Sequence, residues 1–179
     1  MVDAMGAHLA NTMIGFHAFT GYDTTSAFYG KGKVRPFEIM QKSARTRRAI
    51  SQLGEEWDVP DQVTVDLEEF VCQIYGTHET SANLARYKLF CAKSFGERKL
   101  PPTSDCLKLH IDRANYQARV HKLAVVPDAS LPSPNEHGWI QDEFGIRVKW
   151  MTLDPAPSEL TKSAKCGCKN SKCEAKSFG

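Results

Sequence analysis

The chain has 179 residues, 41 % of them apolar, and a formal net charge of +2, which suits one domain with appendages and a packed core of modest size. Aromatic and β-branched residues run along its whole length, which excludes wholesale disorder, and no apolar run reaches the roughly 18 residues that a membrane span needs. The opening Met1-Val2-Asp3-Ala4 has neither a basic nor a long apolar segment of the secretory type, so a nuclear or cytoplasmic protein without a membrane partner is expected.

The small net charge hides strong segregation. Residues 31–48 carry Lys31, Lys33, Arg35, Lys42, Arg45, Arg47 and Arg48 against Glu38 alone, a net +6. Residues 55–69 carry seven carboxylates and no cation, and residues 162–176 carry five lysines against Glu174. Basic blocks flanking an acidic one point to a polyanion partner for the basic parts, or to two helix faces that offset each other. The acidic run reads as a solvated helix surface. Cys72, Cys91 and Cys106 stand singly in helical patterns and read as small buried hydrophobes, whereas Cys166, Cys168 and Cys173 cluster. With no secretory signal, reduced thiols and metal ligation are expected of the cluster rather than disulfides.

In chain order, residues 4–19 read as a helix with Leu9, Met13 and Phe16 on its inner face, ended by Gly21. Thr24, Thr25 or Ser26 caps a short helical turn before the glycines. Pro36 suits the first turn of the next helix, through about Gln41. Ser43 caps another through about Leu53, with Gly54 as its stop. Asp61 caps a helix whose inner face is Val63, Leu67, Val71 and Ile74 or Tyr75, ended by Gly76. Ser81 precedes a helix with Leu84, Tyr87 and Phe90 inward. Pro101-Pro102 breaks the chain, and Ser104 caps a longer helix to about residue 123 with Leu107, Ile111, Ala114 and Ala118 inward. Residues 127–137 form a loop. Ile146, Val148 and Trp150 alternate with Arg147 and Lys149 as in a half-buried strand, with Glu143-Phe144-Gly145 turning a small hairpin. Arg113-Ala114-Asn115-Tyr116-Gln117 reads as packing against that hairpin.

The expected fold is mainly α. It has a helix–hairpin–helix region (1–54), a small helical subdomain (55–126), a linker with one short β-hairpin (127–160) and a Cys/Lys tail (161–179).

The densest chemistry lies in residues 21–33. Gly30 and Gly32 let the backbone approach a ligand with no Cβ in the way, and the start of the next helix favours an anion. Lys31, Lys33 and Arg35 add fixed positive charge. Together they suit one phosphate of a DNA backbone. His17, about one turn before Asp23, reads as a satisfied helix histidine.

Gly21-Tyr22-Asp23, followed seven residues later by Gly30-Lys31-Gly32-Lys33, resembles the helix–two-turn–helix region of the flap-endonuclease/XPG-type (PIN-like) 5′ nucleases. The resemblance covers roughly residues 10–42. It implies Asp23 as a catalytic metal ligand within a carboxylate cluster that holds two Mg2+ ions. It also implies Gly30, Gly32 and Lys33 as contacts to the phosphates of duplex or junction DNA. In that family most of the acidic ligands come from upstream parallel strands. Here Asp3 is the sole carboxylate before Asp23, and two-metal chemistry needs several oxygens to hold the cations about 4 Å apart. The expectation is therefore a fragment of a larger α/β nuclease-like protein, not cleaving DNA alone.

Lys165-Cys166-Gly167-Cys168-Lys169-Asn170-Ser171-Lys172-Cys173 resembles the opening of a tesmin-type CXC domain. That resemblance implies Zn2+ at Cys166, Cys168 and Cys173, with neighbouring lysines facing DNA. The whole is similar to uncharacterised animal proteins of mobile-element type that join a degenerate nuclease-like region to a cysteine-rich tail. The expected function is DNA-backbone binding. The alternatives are a helical protein-interaction module and a non-functional mobile-element relic.

Overall fold

The computed structural model describes residues 7–92 and 99–154, residues 7–11 by their backbone alone. Among them are six helices: α1 (Ala7–Thr20), α2 (Val34–Lys42), α3 (Ala44–Gln52), α4 (Asp61–Ile74), α5 (Ala82–Cys91) and α6 (Ser104–Leu123). One antiparallel hairpin follows, β1 (Trp139–Asp142) and β2 (Gly145–Val148). The mainly helical expectation therefore holds.

Side-chain caps open two of these helices, from Ser43 and Thr103, whereas α2, α4 and α5 start without one. The expected caps Asp61 and Ser104 are instead the first helical residues, after Pro60 and Thr103. The Ser43 hydroxyl accepts from the Thr46 N–H at 3.1 Å and starts α3, and the Thr103 hydroxyl does the same for Cys106 at the head of α6, each satisfying a backbone donor that has no partner within its helix. Gly54 follows α3 at φ +78°, a left-handed conformation that glycine adopts without the Cβ clash. Its neighbourhood leaves no room for a side chain either, since a Cβ there would lie 2.6 Å from the Ala118 carbonyl carbon.

One continuous core joins these elements. Phe16 and Phe19 of α1, Met40 of α2, Ile50 of α3, Leu67 and Phe70 of α4, and Leu107 and Ile111 of α6 are all buried in it. Each such side chain stabilises the fold by about 1.5–3 kcal/mol through the area removed from water. α1 crosses α3 at very short range: a Cβ on Gly15 would stand 2.2 Å from the Ile50 carbonyl oxygen.

Two local expectations are corrected. Residues 24–29 form no helical turn. Tyr22 and Thr25 exchange backbone hydrogen bonds of 3.2 and 3.0 Å, and the Thr25 hydroxyl donates to Ala18 O at 2.8 Å. That hydroxyl closes the end of α1 rather than opening a new helix. In α5 the inner face is opposite to the one expected. Ala82 and Ala85 are fully buried, while Leu84, Tyr87 and Phe90 are 42, 64 and 58 % exposed. Polar ties fix this rotation. Ala82 N–H donates to Glu68 Oε1 at 2.7 Å, Asn83 Oδ1 accepts from Ser104 N–H, and Arg86 Nη1 donates to Pro101 O. Alanines also allow a close helix approach that the larger side chains would prevent.

The hairpin pairs Trp139 with Val148 and Asp142 with Gly145, leaving Glu143-Phe144 as a two-residue loop with Gly145 at φ +111°. Its second strand is more exposed than the alternation implied, with Ile146 at 58 %. The hairpin is held at its base instead, where Arg113 Nη1 donates to Gly138 O and Lys149 O at 3.0 and 2.9 Å. Tyr116 meets Trp139 edge-on at 5.3 Å. Arg113 and Tyr116 thus pack against the hairpin as expected. Asn115 has a different duty. It accepts from Gly54 N–H and donates to the carbonyls of Glu56 and Trp57, which pins the loop after α3.

Candidate nucleic-acid interface

The turn at residues 28–33 is built on a buried Phe28. Lys31 N–H donates to Phe28 O at 3.0 Å, closing a tight turn, and Gly30 takes φ +68° within it. Nothing among the described residues lies within 4 Å of the place a Cβ would occupy on Gly30 or Gly32. Packing therefore does not require glycine at position 32, and both glycines leave the backbone open to a ligand from outside.

The cations around the turn are placed differently from one another. Lys31 Nζ lies 4.4 Å over the Tyr75 ring, a cation–π contact. Burial pushes its pKa down, helped by Arg35 and Lys99. Lys33 Nζ reaches back to donate to Gly21 O at 2.7 Å and to contact His17 Nδ1 at 2.7 Å. It therefore staples the end of α1 to the start of α2, with one N–H beyond those two contacts. Arg35 is exposed on the first turn of α2, near Gly76. α2 begins at Val34 with no side-chain cap and no acidic residue in its first turn. An uncapped helix start carries partial positive charge from its unpaired N–H groups, so the Gly30–Arg35 surface is electropositive from backbone and side chains together.

His17 contributes to the same corner. Its pKa is lowered, first by burial and then by Lys33 and His121, against a raising influence of Asp23. Tyr22 stands edge-on to His17 at 4.7 Å and to His121 at 5.4 Å. Asp23 sits exposed at the tip of the Tyr22–Thr25 turn. No group of three or more histidine, cysteine or carboxylate side chains close enough to hold a metal ion occurs among the described residues. Among the described residues, Asp23 is therefore not part of such a group. Cys166, Cys168 and Cys173 lie outside the described residues.

The charge blocks meet within the fold. Arg45 donates to Asp66 and Glu69 at 2.7 and 2.6 Å, and Lys122 pairs with Glu55 at 2.6 Å. Glu68 accepts from Ala82 N–H and Ser104 Oγ. The acidic run is thus partly a fastening strip between helices rather than wholly a solvated face. Arg47 bonds the carbonyls of Met40 and Gln41 and so caps the end of α2. The basic block accordingly divides into cations held in structural contacts (Arg45, Arg47 and the Lys33 staple), Lys31 stacked on Tyr75, and the exposed Arg35, Lys42 and Arg48. Sequence spacing does not make that division, because it depends on which carbonyls and carboxylates each side chain meets after folding.

Cys72 is buried, Cys106 half-buried and Cys91 exposed. The buried-hydrophobe reading holds for Cys72 and fails for Cys91, which follows the outward rotation of α5. Comparison with protein families, with curated proteins and with solved structures finds no match to the chain.

Proposed function

We propose that the chain binds a nucleic-acid backbone, duplex or junction DNA in the first instance, through the Gly30–Arg35 turn and the start of α2. The observation that carries this reading is the open glycine turn leading into an uncapped helix start, with Lys31, Lys33 and Arg35 around it and no acid in the first turn. Such a surface takes phosphate oxygens and does not reach base edges, so binding is without strong sequence preference. The nuclease-type role of Asp23 belongs to a larger carboxylate cluster, so this chain binds without cleaving. Zn2+ at Cys166, Cys168 and Cys173 would add a second basic contact through the tail lysines.

A second reading, a helical protein-interaction module, draws on Leu84, Tyr87 and Phe90 exposed along α5. One titration separates the two. Duplex DNA labelled with a fluorophore is titrated by anisotropy across a salt series. DNA binding gives an affinity that falls by about 0.9 log units per log unit of salt for each phosphate neutralised. No retention on DNA at low salt, or an affinity indifferent to salt, favours the protein-interaction reading. Robust Mg2+-dependent cleavage lost in Asp23→Ala would contradict the non-cleaving part.

A further inference from the structure

Beside the glycine turn lies a cavity of about 230 Å3 between residues 26–29, Leu100–Pro102, α6 and Trp150. Its charge is one-sided. Arg86 and Arg113 both line it, and no aspartate or glutamate is among the described residues that do. Arg113 is 1 % exposed. Its Nη1 serves two carbonyls, yet its Nε is buried with no hydrogen-bond partner among the described residues. No ion pair to Arg113 occurs among them either. A guanidinium stays charged in proteins. The neighbouring Asp112 favours that charge but is itself paired with Lys108, so the buried charge is compensated only in part, which is costly. An anion in the cavity would offset that cost.

The rest of the lining narrows the anion's chemistry. The Arg113 guanidinium lies over one face of the Trp150 ring, 5.8 Å from its centre, and Trp150 is 61 % exposed, so indole surface beyond that covered face remains open to a ligand. Tyr75 lines the cavity as well, and its opposite duty under Lys31 joins the cavity to the glycine turn. His110 is neutral at pH 7, its pKa lowered to about 4 chiefly by burial, so the positive charge of the cavity comes from the two arginines. The volume is below the roughly 300–1,000 Å3 of drug-sized pockets, which excludes a large cofactor and admits an oxyanion with part of a ring. Guanidinium recognition of phosphate together with an aromatic platform for a base is the chemistry of one nucleotide.

We propose that this cavity binds a nucleoside monophosphate, its phosphate between Arg86 and Arg113 and its base against Trp150. The ligand is either free or the terminal nucleotide of a strand. This goes beyond backbone binding at residues 30–35 and stands without it, because it is tested with ligands that contain no duplex.

The experiment is a 1H–15N titration of the full chain, following the Arg113 Nε–H and the Trp150 indole N–H, with AMP, inorganic phosphate and adenosine. AMP and phosphate should move the Arg113 signal, AMP at the lower concentration, and adenosine should leave it in place. Arg113→Met risks unfolding, so the decisive variant is Arg86→Gln, whose amide keeps a donor for Pro101 O. With its fold checked by the melting curve, it should weaken AMP about tenfold, the loss of one charge-assisted hydrogen bond. An Arg113 signal that AMP leaves unmoved, equal responses to AMP and adenosine, or an unchanged AMP affinity in a folded Arg86→Gln protein would each overturn the proposal. The source follows from a short single strand. Tighter binding of the 5′-phosphorylated strand than of AMP assigns a strand terminus, and equal or weaker binding assigns the free nucleotide.

Discussion

Acid should destabilise this protein through one residue, His110. Its Nε2–H donates to Phe19 O at 2.8 Å, and its ring packs 5.4 Å from Phe19 and 5.0 Å from Phe28. Burial, with a smaller push from Arg113 one turn away, lowers its pKa from 6.5 to about 4. Above pH 6.5 neither the folded nor the unfolded state carries this proton, and His110 adds no pH dependence. Below 6.5 the unfolded chain takes up a proton that the folded chain refuses until about pH 4. Stability is therefore lost as pH falls through that window. At 1.36 kcal/mol per pH unit, the loss reaches about 3 kcal/mol when the window is crossed, a large share of the roughly 5–15 kcal/mol that holds an ordinary domain together. The assay is urea unfolding at pH 7.5 and pH 4.5, on the wild type and on His110→Gln, whose amide keeps an N–H for Phe19 O. Carboxylates and the other histidines titrate alike in both proteins, so the difference between them isolates His110. The wild type should lose about 2–3 kcal/mol more than the variant over this interval. Equal losses would refute the reasoning.

Further outcomes follow from the packing. Asn115→Ala should cost about 2–4 kcal/mol, because Gly54 N–H and the carbonyls of Glu56 and Trp57 lose their partner in one stroke. Asn115→Asp should cost more, since it turns a carboxylate oxygen toward those two carbonyls; denaturant midpoints at pH 7 rank the two variants. Gly15→Ala meets the Ile50 carbonyl oxygen at 2.2 Å and should cost about 1–3 kcal/mol despite alanine's better helix propensity. Gly30→Ala has open space around it and should cost only the left-handed strain of about 1–2 kcal/mol, so calorimetric melting should separate the two glycines. Among the thiols of the described residues, Cys91 should alkylate first with iodoacetamide and Cys72 last. Cys72 is buried and its pKa is pushed up to about 11, and peptide mapping after short exposures reads the order.

Much of this architecture is legible from residues alone where a single chemical rule decides. Ser43 as a cap, Gly54 and Gly76 as stops, and the 63–67–71–74 stripe of α4 each follow from one local preference. The rotation of α5 is not legible because two stripes compete at the same helical spacing. Leu84, Tyr87 and Phe90 carry the larger hydrophobic signal, and the choice of Ala82 and Ala85 is made by Glu68, Ser104 and Pro101 elsewhere in the chain. The turn at residues 30–35 stands out in sequence by its glycines and lysines. The reach of Lys33 back to Gly21 O is a tertiary contact that no spacing encodes. Arg113 and Asn115 could be singled out as an odd polar pair within a helix, but their roles need the hairpin and the loop after α3 to be in place. Asp3 and Asp23 are the only carboxylates before the glycine turn, and among the described residues no group of three or more histidine, cysteine or carboxylate side chains includes Asp23.

The central claim is that phosphates contact the Gly30–Arg35 edge. Its most direct test is the salt slope of duplex binding in the wild type and in the double variant Lys31→Ala/Arg35→Ala. Lys31 lies between the two glycines and Arg35 on the first turn of α2, whereas Arg45 is paired with Asp66 and Glu69. Removal of two phosphate contacts should make the log–log slope shallower by about 1.8 and weaken binding at low salt, while Arg45→Ala leaves the slope in place. A slope equal to the wild type's in a folded Lys31→Ala/Arg35→Ala protein would contradict the claim.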